Sequence, residues 1–226
     1  MCGKLYGIGV GPGDPELLTI KALRIMRESD VIAVPGEVAE KSVAYQIAEP
    51  VFPSIKDKEV AAIPMPMTKD KNILDKNYKA AADIVEEYLK EGRQVAFLTL
   101  GDPTIYSTFM YVHQRIIERG YETEIVSGIP SFCAAAARLG IGAAERSQEL
   151  HIIPASYQIE AALDLPGTKI LMKAGRKINE VKKLLLERAT KAVMIENCGM
   201  SDEKIYETTE AIPETAGYYS LIIVKE

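Results

Sequence analysis

Short apolar runs alternate with helical patterns over the first half of the chain. Runs at residues 5–10, 31–34 and 95–100 predict strands, and the last of them has the composition of a strand buried on both faces. Between the runs, apolar residues recur every three or four positions, which predicts amphipathic helices at about 19–28, 74–92 and 105–120. Because strand and helix alternate, we expect a parallel sheet.

The pattern changes after Gly120. Further strands are predicted at 122–126, 149–153, 169–173, 192–196 and 218–225, with helices at 131–139 and 177–188. We therefore expect an α/β protein of two α/β domains, a parallel-sheet N-terminal domain at 1–120 and a mixed-sheet C-terminal domain at 121–226. No Gly/Ser-rich linker separates them, so close packing of the two is expected.

Two of the predicted strands end in Gly-Asp-Pro loops. The first runs through glycines at 7, 9, 11 and 13 into Asp14-Pro15, and the second ends in Gly101-Asp102-Pro103. Carboxyl ends of parallel strands meet at one edge of a sheet, where open α/β folds bind ligands, so the two loops predict a shared binding cleft. Asp-Pro after a strand is also a common turn or helix-capping signal, and each loop alone fits that structural role.

The glycine spacing excludes the usual nucleotide motifs. In G-x-G-x-x-G, counted from Gly7 or Gly9, the third glycine position holds Pro12 or Asp14. No Gly-Lys-Ser/Thr of a phosphate-binding loop occurs. A rigid, glycine-rich loop that ends in a carboxylate suits a ligand with cationic or hydroxyl groups better than a bare phosphate.

Composition narrows the class of function. A net charge of −5 argues against a nucleic-acid partner, although one basic stretch at 173–183 leaves room for a local anion site. The three cysteines lack a C-x-x-C spacing and the two histidines lie far apart, so no metal site is expected. No apolar run approaches the roughly 20 residues of a membrane span, and no secretory signal pattern is seen, so we expect a cytoplasmic protein without a membrane partner.

Three segments together resemble a known family. GIGVGPGDPELLTIKA, LTLGDPTIYSTFMYV and VSGIPSFCAAAARLG, in this order and at these separations, are similar to the tetrapyrrole methylases. The second segment and SGIPSF most resemble the members that methylate carbon 20 of precorrin-2 or cobalt-factor II in cobalamin biosynthesis. One departure from the family pattern is IGAAERS at 141–147, where a proline is expected after the isoleucine.

The resemblance implies an S-adenosylmethionine-dependent C-methyltransferase, usually a homodimer, with the cofactor in the cleft between two α/β domains. It implies no protein-bound metal. By this likeness the cofactor site comprises Pro12, Gly101, Asp102, Ile105, Ser131, Phe132, Met172, Lys173 and Cys198, with a weaker match near Tyr219.

The resemblance also implies a tetrapyrrole substrate whose electron-rich ring carbon attacks the sulfonium methyl group. Asp102 and Tyr106 are candidates for the base that then removes a proton. The substrate carboxylates need cations, and the residues expected to supply them are Arg138, Arg146, Arg176 and Lys173. The alternatives are methylation of another ring carbon, of a modified histidine (diphthamide) or of ribosomal RNA, and a non-catalytic nucleotide-binding module.

Overall fold

The computed structural model describes residues 3–66, 68, 70–155 and 159–225, with the side chain of Arg176 also outside the description. The chain divides into two compact units, Met1–Pro130 and Ser131–Glu226, each with its own five-stranded sheet. The sequence prediction of two α/β domains, one parallel and one mixed, is confirmed.

The first unit contains an all-parallel sheet in the order β3-β2-β4-β1-β5. Its strands are β1 (Lys4–Gly9), β2 (Val31–Pro35), β3 (Glu59–Ile63), β4 (Gln94–Thr99) and β5 (Glu122–Val126). Residues of β1 and β4 point alternately to the two faces of the sheet, and both faces are buried. This explains the near-continuous apolar runs in the sequence.

Helices cover both faces of this sheet. They are α1 (Ile20–Glu28), α2 (Val43–Ala48), α3 (Lys71–Lys90) and α4 (Phe109–Glu118). Helices α1 and α2 pack with Ile8 and Leu98 on one face, whereas α3 and α4 pack with Leu5 and Phe97 on the other. Thr19 caps α1, its hydroxyl accepting from the amide of Ala22 at 3.2 Å.

The second unit contains a mixed sheet in the order β6-β7-β10-β8-β9. Its strands are β6 (Leu150–Pro154), β7 (Thr168–Met172), β8 (Ala192–Glu196), β9 (Lys204–Tyr206) and β10 (Ser220–Val224), and its helices are α5 (Ser131–Arg138), α6 (Ile159–Leu163) and α7 (Ile178–Glu187). Strands β6 and β7 are parallel, while β10 runs antiparallel to both β7 and β8. The last strand along the chain therefore lies in the middle of the sheet.

The division between the units differs from the boundary predicted near Gly120. Strand β5 pairs in parallel with β1, with Lys4 opposite Glu122 and Ile8 opposite Val126. This pairing makes β5 the edge strand of the first sheet, so the first unit extends to Pro130. The change in residue pattern after Gly120 follows the end of α4 and does not coincide with the end of the first unit.

One ion-pair cluster joins β1, β5 and α1. The carboxylate of Glu124 lies 2.8 Å from the ammonium of Lys21 and 2.8 Å from that of Lys4. Hydrogen bonds from Lys21 and then Lys4 lower the pKa of Glu124 from 4.5 to about 2. As the pH falls, the Glu124 carboxylate is therefore protonated in the unfolded chain before it is protonated in the folded protein. The contribution of the two ion pairs to the free energy of unfolding is present above pH 4.5 and is lost as the pH falls toward 2.

We expect the free energy of unfolding to fall more between pH 5 and pH 3 in the parent than in Glu124→Gln. The difference should be no more than about 1 kcal/mol, because the Glu124 side chain is 33% exposed and the pairs are screened by solvent. Urea unfolding of both proteins at the two pH values, at low ionic strength, measures it. An equal pH dependence in parent and variant contradicts the assignment.

None of the described helices combines the length and the apolar character that a membrane span requires.

Candidate functional site

The adjacent strands β1 and β4 send their chains to opposite faces of the first sheet. β1 leads into α1 on one face and β4 leads into α4 on the other. The chain thus leaves the two strands toward opposite faces of the sheet, and the carboxyl ends of two such strands are the usual ligand position in open α/β sheets. Both Gly-Asp-Pro loops lie at this point.

The two loops make direct contact. The amide of Gly11 donates to the carbonyl of Gly101 at 3.2 Å, and the amide of Gly101 donates to the carbonyl of Gly11 at 2.8 Å. Both glycines have positive φ, +80° and +71°, which side chains disfavour. An added Cβ would be in ordinary van der Waals contact with Leu17 at 3.5 Å or with the Ile129 carbonyl at 3.9 Å, so the requirement for glycine here comes from the positive φ and not from lack of space.

Three other glycines have a packing role. A Cβ on Gly9 would lie 2.5 Å from the amide nitrogen of Gly128, and one on Gly128 would lie 2.2 Å from the Gly101 carbonyl oxygen. A Cβ on Gly7 would overlap the ring of Phe109, at 2.1 Å. The sequence predicts one glycine-rich binding loop that includes Gly7 and Gly9, whereas in the structure both lie in β1 and allow close packing against Phe109 and Gly128.

Asp102 connects the loop after β4 to the loop after β5. Its carboxylate is 7% exposed. Oδ1 accepts from the amide of Thr104 at 2.8 Å and from its hydroxyl at 2.5 Å, while Oδ2 accepts from the buried amide of Gly128 at 3.0 Å. Asp102 thus lies at the predicted end of the sheet, and the hydrogen bonds of its carboxylate hold the loops after β4 and β5 together.

Helix α4 begins later than its apolar spacing suggests. Ile105 continues the pattern of Phe109 but lies in the loop, because the Asp102 bonds and a pair between Thr99 and Ser107 (2.9 Å) hold residues 102–108 out of the helix. Tyr106 has φ +49° and is 49% exposed. A non-glycine residue in this conformation is typical of sites where backbone strain has a function.

The remaining predicted cofactor residues belong to the second unit. Ser131 and Phe132 are the first residues of α5, and Phe132 is buried. Met172 ends β7 and Lys173 follows it, while Cys198 follows β8. The amide of Lys173 donates to the Ser220 carbonyl at 3.2 Å, so the carboxyl end of β7 and the start of β10 lie side by side.

The predicted substrate cations have different surroundings. Arg138 at the end of α5 donates from Nε to Glu203 at 2.7 Å, so part of its guanidinium is already used within the second unit. Arg146 is exposed in the turn before β6 and has φ +52°. The Lys173 ammonium lies 5.5 Å from the ring centroid of Tyr218. The side chain of Arg176 lies outside the described residues.

Sequence reasoning missed two residues that shape these edges. Gly128 donates its amide to Asp102 and packs against the backbone of Gly9, and its signal in the sequence is its position in SGIP, two residues after the end of β5. Glu196 is a buried acid at the end of an apolar strand, AVMIE, which is itself a sign of a specific polar contact. Within the described part of the chain, no group of three or more His, Cys, Asp or Glu is arranged for a metal ion.

Two known proteins are similar to this chain over nearly its full length. The chain is 38% identical to a probable cobalt-precorrin-2 C(20)-methyltransferase of Methanocaldococcus jannaschii, over 98% of this chain and 96% of the relative. It is 30% identical to the cobalt-precorrin-2 C(20)-methyltransferase of Salmonella typhimurium, over 100% of this chain and 98% of the relative.

A solved structure shares the fold. Uroporphyrin-III C-methyltransferase of Thermus thermophilus, in complex with S-adenosylhomocysteine, superposes with a TM-score of 0.70 at 20% identity, over 99% of this chain and 98% of that one. The family model of the tetrapyrrole (corrin/porphyrin) methylases matches residues 4–213. Because the match covers the whole first sheet with its two Gly-Asp-Pro loops and four strands of the second sheet, the chain belongs to the tetrapyrrole (corrin/porphyrin) methylases.

Proposed function

We propose that the protein is an S-adenosylmethionine-dependent C-methyltransferase that methylates carbon 20 of precorrin-2 or of its cobalt-containing form in cobalamin biosynthesis. Support comes from full-length similarity to two relatives named for this reaction. The structural observation that carries the proposal is the meeting of the two Gly-Asp-Pro loops through Gly11 and Gly101 at the carboxyl ends of β1 and β4.

The backbone conformation of Gly11 and Gly101 supports a methyl-donor site at these loops. Both glycines are buried and have positive φ, so the two loops hold a fixed backbone conformation at the proposed methyl-donor site. The neighbouring Asp102 is a carboxylate suited to hydroxyl or ammonium groups once its loop is fixed. Pro12, Ile105, Ser131, Phe132, Met172, Lys173 and Cys198 complete the proposed cofactor set.

The proposed reaction needs positioning more than a nucleophilic side chain. The sulfonium donates a methyl group: its sulfur–methyl bond breaks, a bond from that methyl to ring carbon 20 forms, and S-adenosylhomocysteine and a proton leave. An in-line approach at about 3 Å supplies most of the advantage over solution. Tyr106 and Asp102 remain the candidate proton acceptors. Because Asp102 accepts hydrogen bonds from Thr104 and Gly128, we assign it first a structural role in positioning the loops.

The proposed substrate is a tetrapyrrole with several carboxylates. Arg146 and Lys173 are the described cations proposed to bind them, with Arg138 contributing through the guanidinium NH groups that Glu203 does not engage. Arg176 stays in this set from the sequence alone. We also propose a cytoplasmic homodimer, as the family resemblance implies, and light scattering that reports the mass of one chain would overturn the dimer.

Product analysis tests the reaction directly. Incubation with precorrin-2 or cobalt-precorrin-2 and methyl-labelled S-adenosylmethionine should add one methyl group by mass, with a carbon-13 resonance assigned to carbon 20. A methyl group on any other ring carbon would place the chain with the family's other reactions. Tight binding of S-adenosylhomocysteine without turnover of either tetrapyrrole would favour a binding module instead.

A further inference from the structure

Glu196 is a buried carboxylate at the end of β8. Only 8% of the residue is exposed, and the rest of the strand, Ala192 to Ile195, is apolar. Burial of a carboxylate is costly unless its oxygens are hydrogen-bonded. Both oxygens are used: Oε1 accepts from the amide of Gly217, and Oε2 accepts from the hydroxyl of Tyr206 at 3.3 Å.

The Gly217 bond fixes the chain segment just before β10. A Cβ on Gly175 would lie 2.2 Å from the Gly217 carbonyl oxygen, and one on Gly217 would lie 3.2 Å from Oε1 of Glu196. Gly217 thus fits closely between Gly175 and the carboxylate. The following carbonyl of Tyr219 accepts from the amide of Asn197 at 3.0 Å, which joins the same segment to the end of β8.

This segment presents two aromatic rings beside the residues proposed to bind the cofactor. The rings of Tyr218 and Tyr219 meet edge to face, with centroids 5.3 Å apart, and are 44% and 38% exposed. Asn197 and Lys173, at the ends of the flanking strands, have φ of +52° and +59°. Half-exposed aromatic rings on a rigid backbone, next to strained strand ends, make a preformed binding surface.

We propose that Glu196 is a positioning residue for the methyl-donor site. Its carboxylate holds the 217–219 segment so that Tyr218 and Tyr219 stand beside Met172, Lys173 and Cys198 in the geometry that S-adenosylmethionine and S-adenosylhomocysteine require. This inference rests on the proposed function. The role depends on the acceptor geometry at Gly217 and not on the negative charge.

Three substitutions separate geometry from charge. Glu196→Gln keeps the chain length and an acceptor oxygen for Gly217 but removes the charge. Glu196→Asp keeps the charge but withdraws the carboxylate by about 1.5 Å, the length of one carbon–carbon bond. Glu196→Ala removes both, and Tyr206→Phe is the matched control because it removes only the second hydrogen bond of the carboxylate.

Calorimetric titration with S-adenosylhomocysteine, together with KM and kcat, gives the readout. Glu196→Ala and Glu196→Asp should raise Kd and the KM for S-adenosylmethionine about tenfold, with kcat changed much less, and Glu196→Gln and Tyr206→Phe should stay near the parent. Glu196→Asp and Glu196→Gln keep the test decisive if the alanine variant does not fold.

Two results would overturn the inference: parent-like affinity in Glu196→Asp, or loss of affinity in Glu196→Gln equal to that in Glu196→Asp. A parent protein that does not bind S-adenosylhomocysteine would instead contradict the proposed function, so the two failures are distinguishable.

Discussion

Gly128→Ala should destabilise the protein by about 3 kcal/mol and abolish binding of S-adenosylhomocysteine, although it adds a single methyl group. The added Cβ would lie 2.2 Å from the carbonyl oxygen of Gly101 and 2.7 Å from the carbonyl carbon of Gly9. All these atoms are backbone, so relief requires that the loops after β1, β4 and β5 move apart. Denaturant unfolding and calorimetric titration measure the two effects.

Gly142→Ala is the matched control. Its φ lies outside the left-handed region, and the new Cβ would meet the flexible side chain of Glu145 at 3.2 Å, in an exposed loop. We expect a change within about 0.5 kcal/mol. If Gly128→Ala were as stable and bound ligand as tightly as Gly142→Ala, the close contact of the three loops would be wrong.

Asp102→Ala should weaken both the fold and the binding of the methyl donor. The substitution removes the acceptor for the Thr104 amide and hydroxyl and leaves the buried amide of Gly128 without its partner. A lost hydrogen bond to a charged group costs about 2 kcal/mol, and a similar loss in binding corresponds to roughly thirtyfold in Kd. Thermal unfolding and titration with S-adenosylhomocysteine below the unfolding transition test it.

Thr104→Ala separates the turn from the link to Gly128. It removes one hydroxyl donor at the surface of the turn and leaves the Asp102–Gly128 bond in place, so we expect a loss of about 1 kcal/mol in stability and a small change in Kd. An unchanged Kd in a correctly folded Asp102→Ala variant would show that the loop geometry at Asp102 does not support binding.

Strands β1, β2 and β4 of the first sheet could be predicted because they are buried on both faces. The runs that contain Ile8, Val31 and Phe97 have no charged residue, and such runs are typical of central parallel strands. Strand β3 was missed because it is short and its residues, EVAAI, are mostly small. Its extended conformation depends on pairing with β2. Strand β9 has three residues and is set by the turn after β8.

The parts of the candidate site that could be predicted are the two loops whose conformation depends on local sequence. The Gly-Asp-Pro loops at residues 11–15 and 101–103 have their own turn chemistry, and the strand order brings the first loop, through Gly11, beside Gly101. Partners distant in sequence could not be predicted: Gly128 for Asp102, or Gly217 for Glu196, depends on where strands β5 and β10 are placed. The glycines therefore looked equivalent in sequence, although a Cβ on Gly9 would overlap the backbone of Gly128, at 2.5 Å, whereas one on Gly11 would be in ordinary contact with Leu17, at 3.5 Å.

The central place of β10 in the second sheet sets the order in which a growing chain can mature. The first sheet has all its strands once β5 at Glu122–Val126 has been synthesised, so it can fold while translation continues. In the second sheet β7 and β8 have no contact across the gap until Ser220–Val224 arrives between them. A chain that ends before residue 220 therefore has one complete sheet, whereas β7 and β8 each have an unpaired edge. Chaperones and proteases act on chains with such exposed edges.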